Sequence, residues 1–235
     1  MITHEHCVQP AVVEIDPHFC QARRMNTPFR SIVLAASAIA GAWSLDALAG
    51  AETYRFDPVH SQIWFSVAHE RLSNPLGRLR IKDGWFQFDP KDIEHARMYV
   101  EVDLASVDMG DAKWNDAVKS GQLFDVGRYA TARYTSRSVE KKGDADGVIH
   151  GDLMLHGVTR PLDVEFRFNH IGNDAYTFKQ KAGFSARATL SRYDFDMKRY
   201  QDVIGEKVEL RIEIEGIRDG DAAKNSAAGD KPDAG

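Results

Sequence analysis

The sequence predicts an all-β fold, an antiparallel up-and-down barrel or a sandwich of about eight strands with one short helix. Three observations carry this. Apolar and polar residues alternate with period two over most of the chain after residue 51. Turn-forming pairs punctuate the alternation. Only one segment reads as helical.

Lys207 to Glu215, "KVELRIEIE", sets the pattern. Val208, Leu210, Ile212 and Ile214 fall on one face, and the charged residues fall on the other. That is a half-buried antiparallel strand. Leu162 to Asn169 alternates in the same way, with Leu162, Val164, Phe166 and Phe168 inward, and Met98, Val100, Val102 and Leu104 repeat it. The segments Trp85–Phe88, Ala132–Val139, Val148–Leu155, Tyr176–Lys181 and Gly183–Leu190 are weaker strands of the same kind. Asp83-Gly84, Asp146-Gly147, His156-Gly157 and Gly172-Asn173-Asp174 are expected turns. "GDLMLHGVTRPLDVEFRF" reads as a hairpin with Pro161 at the start of its second strand.

Asp111 to Gly121, "DAKWNDAVKSG", breaks the alternation and predicts a short helix with Asp111 as N-cap and Gly121 as its stop. Residues 218–235 hold no large apolar side chain and are expected to form a disordered tail. Residues 52–217 are the expected barrel.

Residues 1–51 read as an N-terminal extension and a cleaved signal peptide. Arg30 supplies a cationic start, Ser31 to Trp43 is an apolar stretch, and Ala47-Leu48-Ala49 and Ala49-Gly50-Ala51 fit the cleavage pattern. The segment before Met25 is acidic for such a leader, which puts the expected true start at Met25. A secreted, periplasmic product without a stable membrane anchor follows.

Composition narrows the function. Net charge is −5, so no basic stripe calls for nucleic acid. The two cysteines, Cys7 and Cys20, precede the expected mature chain, which leaves it without a disulfide, a thiolate nucleophile or a cysteine metal site. Nucleophile-elbow, phosphate-loop, dinucleotide and zinc-protease signatures are missing. Asp103, Glu165, Glu209 and Glu213 alternate with basic residues on expected solvent faces rather than pairing in an apolar setting. No catalytic residue, metal site or cofactor is assigned.

"HSQIWFSVAH" carries a histidine at each end. On a regular strand Ile63, Phe65, Val67 and His69 share one face, so His60 points the other way and the two do not form a pair. His69, at the end of the apolar stripe, is a candidate for a polar head group at a cavity mouth; an ordinary rim histidine is the alternative. His60, just after Asp57-Pro58, is expected to fix the strand start. "SRYDFDMKRYQ" groups Arg192, Tyr193 and Lys198 in a basic, aromatic loop, read either as a head-group rim or as a solvated loop packed by its aromatics.

"YRFDPVHSQIWFSVAH", "LGRLRIKDGWFQFDP", "GQLFDVGRYATARYTSRSV", "GDLMLHGVTRPLDVEF" and "GFSARATLSRYDFDMK" with "GEKVELRIEIEG" occur in this order. Together they resemble the YceI-like family of periplasmic polyisoprenoid-binding proteins, over about residues 53 to 217. The resemblance implies a lipocalin-like barrel whose elongated apolar interior holds a long isoprenoid or other amphiphilic lipid. Two departures stand out: Ala117-Val118 replaces a His-Leu pair frequent in the family, and Ala130 replaces the proline after a tyrosine.

The leading expectation is a periplasmic carrier or store for such a lipid. Its candidate lining is Ile63, Phe65, Val67, Phe86, Phe88, Val100, Val102, Val164, Phe166, Leu210 and Ile212. A quinone-binding accessory of a membrane cytochrome system is the alternative; a lipid-modifying enzyme and an empty interaction module rank below. Edge pairing of an opened barrel would allow a homodimer.

Overall fold

The computed structural model describes residues 50–227. Residues 1–49, with the expected start at Met25, and residues 228–235 lie outside the described residues. The strands are β1 (Glu52–Phe56), β2 (Gln62–His69), β3 (Leu76–Phe88), β4 (Arg97–Asp108), β5 (Thr131–Lys141), β6 (Asp146–Leu155), β7 (Val158–Asn173), β8 (Gln180–Ser191) and β9 (Ile204–Arg218). Helix α1 (Ala112–Lys119) lies between β4 and β5, and α2 (Ala222–Ala227) follows β9.

Eight strands close a ring in the order β2-β9-β8-β7-β6-β5-β4-β3, and β3 returns to β2. All pairings are antiparallel. The ninth strand explains why about eight were expected. Tyr54 of β1 faces Phe86 of β3 and Arg218 of β9. Ile63 of β2 faces Leu79 of β3 and Ile212 of β9. β1 and β2 therefore run one after the other in a single lane between the same neighbours. Among the described residues the ring is closed and leaves no free edge strand.

Alternation decides what faces inward. Val208, Leu210, Ile212 and Ile214 of β9 all line the interior, as do Met98, Val100, Val102 and Leu104 of β4. The long connections, 109–130 with α1 and 192–203 with a 3-10 turn at Arg192–Phe195, lie at the same end as the β2–β3 and β6–β7 turns. This is the α1 end. The opposite end carries the β3–β4, β5–β6 and β7–β8 connections.

Helix α1 matches its expected cap: the Asp111 carboxylate accepts from the Trp114 N–H at 3.0 Å. The β6–β7 hairpin has His156 and Gly157 in its two-residue turn, both at positive φ. Pro161 sits three residues into β7 rather than at its start, opposite Asp152. β8 pairs with β7 only from Glu165 onward, so the missing N–H leaves no ladder partner unserved.

Four expectations need correction. Asp83-Gly84 is no turn but the middle of β3, where the register with β4 shifts between Ile81 and Asp83. Gly84 has φ +145°, and a Cβ there would lie 2.4 Å from the Tyr99 carbonyl oxygen. The pair is a bulge that only glycine fits. Tyr176–Lys181 is mostly loop: the Asp174 carboxylate accepts from the N–H groups of Tyr176 and Thr177 and diverts the chain before β8 begins at Gln180. Asp146-Gly147 opens β6, and the turn comes just before it. Beyond residue 217 the chain keeps its structure up to α2: Asp219 N–H bonds to Thr53 O at 2.8 Å, and Ala222 is buried.

Gly84→Ala is expected to lower stability by about 1–3 kcal/mol. Urea unfolding monitored by circular dichroism reads this directly; an unchanged midpoint contradicts the account of the bulge.

Candidate functional site

The inward faces do not fill the ring. They leave a cavity of about 470 Å³, inside the range of about 300–1,000 Å³ typical of small-molecule sites. All eleven residues of the expected lining face it. No carboxylate is among the described residues that line it.

The two ends differ. Opposite α1, aromatic rings make a plug centred on Phe184, whose ring lies 5.4 Å from Phe86, 4.9 Å from Phe88 and 5.5 Å from Phe168. Tyr54 stacks on Phe86 at 5.0 Å. The Phe86 ring lies over Gly216, where a Cβ would come within 2.2 Å of it. β9 thus ends its inward stripe on the one residue that gives the ring room.

At the other end α1 leans over the opening. Trp114, Ala117 and Val118, spaced to share one helix face, all line the cavity. Leu123 and Phe124 of the following loop join them, with the Phe124 ring 6.4 Å from Phe65. Sequence reading found the helix but not this role; the apolar i, i+3, i+4 spacing was the available signal. The two departures from the family pattern fall here: Ala117 and Val118 supply lining, and Ala130 O accepts from Leu104 N–H at 3.1 Å.

The polar groups of the lining are largely committed. The Tyr134 hydroxyl lies 3.1 and 3.0 Å from the carbonyl oxygens of Ile149 and Leu162, which share its one proton. Its burial raises the phenol far above the ordinary range. The Ser136 hydroxyl accepts from Met98 N–H at 2.8 Å. His69 does line the cavity, with its ring 6.1 Å from Trp114 at the α1 end.

The expected head-group rim around Arg192 needs correction. Arg192 is 3% exposed. Its guanidinium donates to the carbonyls of Gly205, Met197, Arg199 and Ile204. Burial lowers its pKa, and the carbonyls take four of its five N–H groups while its side chain borders the cavity. It is a clamp that folds the 192–203 connection onto the start of β9. Tyr193 and Lys198 lie outside the lining. Tyr193 stacks under the Arg192 guanidinium at 4.8 Å, and Lys198 pairs with Asp196 at 3.6 Å.

His60 and His69 are separated by the whole of β2, eight residues or roughly 26 Å. His60 belongs to a second cluster. Its Nδ1 lies 2.9 Å from Asp57, and Lys181 Nζ lies 3.0 Å from Asp57, 3.1 Å from Asp174 and 3.1 Å from Glu215. The cluster joins the β1–β2 break to β8, β9 and the β7–β8 loop. Burial pushes the Asp57 carboxyl up, but hydrogen bonds from His60, the Val59 N–H and Lys181 outweigh it and hold it well below the usual carboxylate range. Desolvation opposes the Lys181 charge, yet its three carboxylate partners keep the ammonium above its ordinary value. One ligand atom each from Asp57, His60 and Glu215 lie within 4.8 Å of one another, the spacing a metal would need. Lys181 already bonds two of the three and supplies the positive charge a metal would bring.

The YceI-like domain family matches residues 54–216, the span of the barrel. The chain belongs to the YceI-like family. Among the relatives of this YceI-like protein, the UPF0312 protein of Vibrio parahaemolyticus is 35% identical over 189 residues, 79% of this chain and 97% of that one. The UPF0312 protein of Shewanella sp. strain ANA-3 is 33% identical over 187 residues, with the same coverage. Among solved structures, Burkholderia cenocepacia BcnA superposes with a TM-score of 0.57 at 19% identity, covering 68% of this chain and 98% of that one. A polyisoprenoid binding domain from Saccharophagus degradans, implicated in plant cell wall breakdown, gives 0.51 at 15% identity, covering 71% and 98%. At these identities the structures share the fold.

A carboxyl with a depressed folded pKa stabilises the fold above its unfolded value, near about 4, and loses that contribution as pH falls through the folded value. Asp57→Asn is therefore expected to cost about 2–3 kcal/mol at pH 7, with the gap to wild type narrowing progressively below about pH 4. Urea midpoints at pH 7 and pH 3 test this. A gap that stays constant contradicts the charged role of Asp57.

Proposed function

We propose that this YceI-like protein binds a long-chain isoprenoid or similar amphiphilic lipid, with the tail inside the barrel and the head group at the α1 end. The carrying observation is the apolar cavity, whose Tyr134 and Ser136 hydroxyls are already bonded to backbone. A polar ligand would leave its own groups unpaired there, at a cost of about 1–3 kcal/mol for each. A hydrocarbon tail loses nothing. At about 0.8 kcal/mol per buried CH₂, ten methylenes gain about 8 kcal/mol, equivalent to micromolar affinity before the costs of association.

The Saccharophagus domain named for polyisoprenoid binding shares this fold, which supports the same ligand class here. The reading is of a binding protein, and its support is the predominantly apolar lining. Transport or storage in the periplasm is part of the proposal, and its support is the signal-peptide pattern of the first 51 residues.

Head-out orientation follows from the asymmetry of the two ends. The plug end is narrowed by stacked rings, with Gln87 and Arg97 bordering the cavity beside them. The α1 end has an amphipathic indole and an imidazole at its rim.

Ala186 faces the cavity from β8 opposite Ile212. Ala186→Trp fills that space without disturbing a polar contact. Titration with a fluorescent polyprenol analogue is expected to show an affinity loss of at least about tenfold, or 1.4 kcal/mol, with an unchanged circular dichroism spectrum. Ala132→Phe, from β5, blocks the cavity independently. Full affinity in both folded variants would place the ligand elsewhere.

A further inference from the structure

The side chains around the α1 end do more than close the cavity. Leu72 is 82% exposed at the tip of the β2–β3 turn, and Tyr200, 45% exposed, stands on the 192–203 connection. Trp114, 38% exposed, projects from α1. The three come from three separate connections that meet here. Glu70 N–H bonds to Val203 O at 2.7 Å, tying the Leu72 turn to the Tyr200 connection. His69, at the base of that turn, packs against Trp114.

The backbone is held against its own preferences to present them. Glu70 and Arg71 both have positive φ, in a turn closed by Leu72 N–H to His69 O at 2.9 Å. Such a turn favours Asn and Gly. Tyr200 also has positive φ. Glu70 and Arg71 are exposed, so burial of their own side chains does not offset this conformation.

Charge singles out the same end. The chain carries a net charge of −5. The connections at the α1 end hold as many basic residues as acidic ones. This end therefore carries no net negative charge to oppose an anionic lipid surface. Leucine, tryptophan and tyrosine are also side chains that partition into the interface of a bilayer.

We propose that the α1 end docks on the surface of a phospholipid bilayer, with Leu72, Trp114 and Tyr200 inserted at head-group level around the cavity opening. The inference rests on the lipid-binding reading and extends it. A long isoprenoid tail crosses water at high cost, and a mouth seated on the membrane passes it from acyl chains into the barrel without exposure. The rings at the rim continue directly into the lining, since Trp114 and Tyr200 belong to both.

The test uses the protein as purified and vesicles of phosphatidylcholine and phosphatidylglycerol that contain no isoprenoid, part of their lipid brominated to quench tryptophan. The quenching lost in Trp114→Phe isolates the signal of Trp114. Tyr176→Trp places a probe on the β7–β8 loop at the opposite end, where Tyr176 is 93% exposed. Trp114 quenching with an unquenched Trp at position 176, and at least about fivefold weaker vesicle binding for Leu72→Ser, is the expected result. Absence of Trp114 quenching, or equal quenching at both ends, overturns the proposal; in the first case the rim is left to a protein acceptor. Tail binding by Leu72→Ser, measured in solution with the polyprenol analogue, is expected to be unchanged. A variant that binds vesicles poorly but the analogue fully separates docking from cargo binding. Vesicle binding without analogue binding would reject the cargo reading alone.

Discussion

Closure of the strand ring is the constraint on which everything else depends. β3 pairs with β4 on one side and with β2 and β1 on the other, so the first lane joins the last without an open edge. Once the ring is closed, every second residue must point into it. The inward stripes supply isoleucine, leucine, valine and phenylalanine, which fill the aromatic end and fall short of filling the rest. The cavity is the remainder of that mismatch, and the proposed ligand class rests on it.

Closure also sets the cost of the β1–β2 interruption. The shared lane leaves backbone at residues 57–61 outside the ladder. Asp57 and His60 hold that gap shut through Lys181 of β8, Glu215 of β9 and Asp174 of the β7–β8 loop. A single buried carboxylate there would be costly, and the arrangement works because each charge has several partners. Arg192 does the same at the α1 end with carbonyls in place of carboxylates. Two cations, the half-buried Lys181 and the buried Arg192, thus serve the scaffold.

Much of this was legible in the sequence, for one physical reason. Period-two alternation is a direct record of a half-buried sheet, so Val208 to Ile214 and Met98 to Leu104 declared their inward faces without any tertiary information. Asp111 declared its cap because capping is local. Long-range geometry was not legible. Asp83-Gly84 has the composition of a turn, and only the approach of the Tyr99 carbonyl shows that the glycine serves a bulge. Tyr176–Lys181 looked like a strand because aromatic content outweighed the Asx turn at Asp174. Arg192 resembled a ligand-binding cation because the carbonyls that consume it come from residues up to thirteen positions away. The Lys181 cluster joins Asp57 to Lys181 across 124 positions, which no local pattern encodes.

The central claim is that the barrel interior is a seat for a hydrocarbon tail. Native mass spectrometry of the wild-type protein made in bacteria tests it most directly. The account predicts a bound species of at least several hundred daltons, released on denaturation and extractable into organic solvent. Protein that is consistently empty, from cells shown to contain polyprenyl lipids, would contradict it.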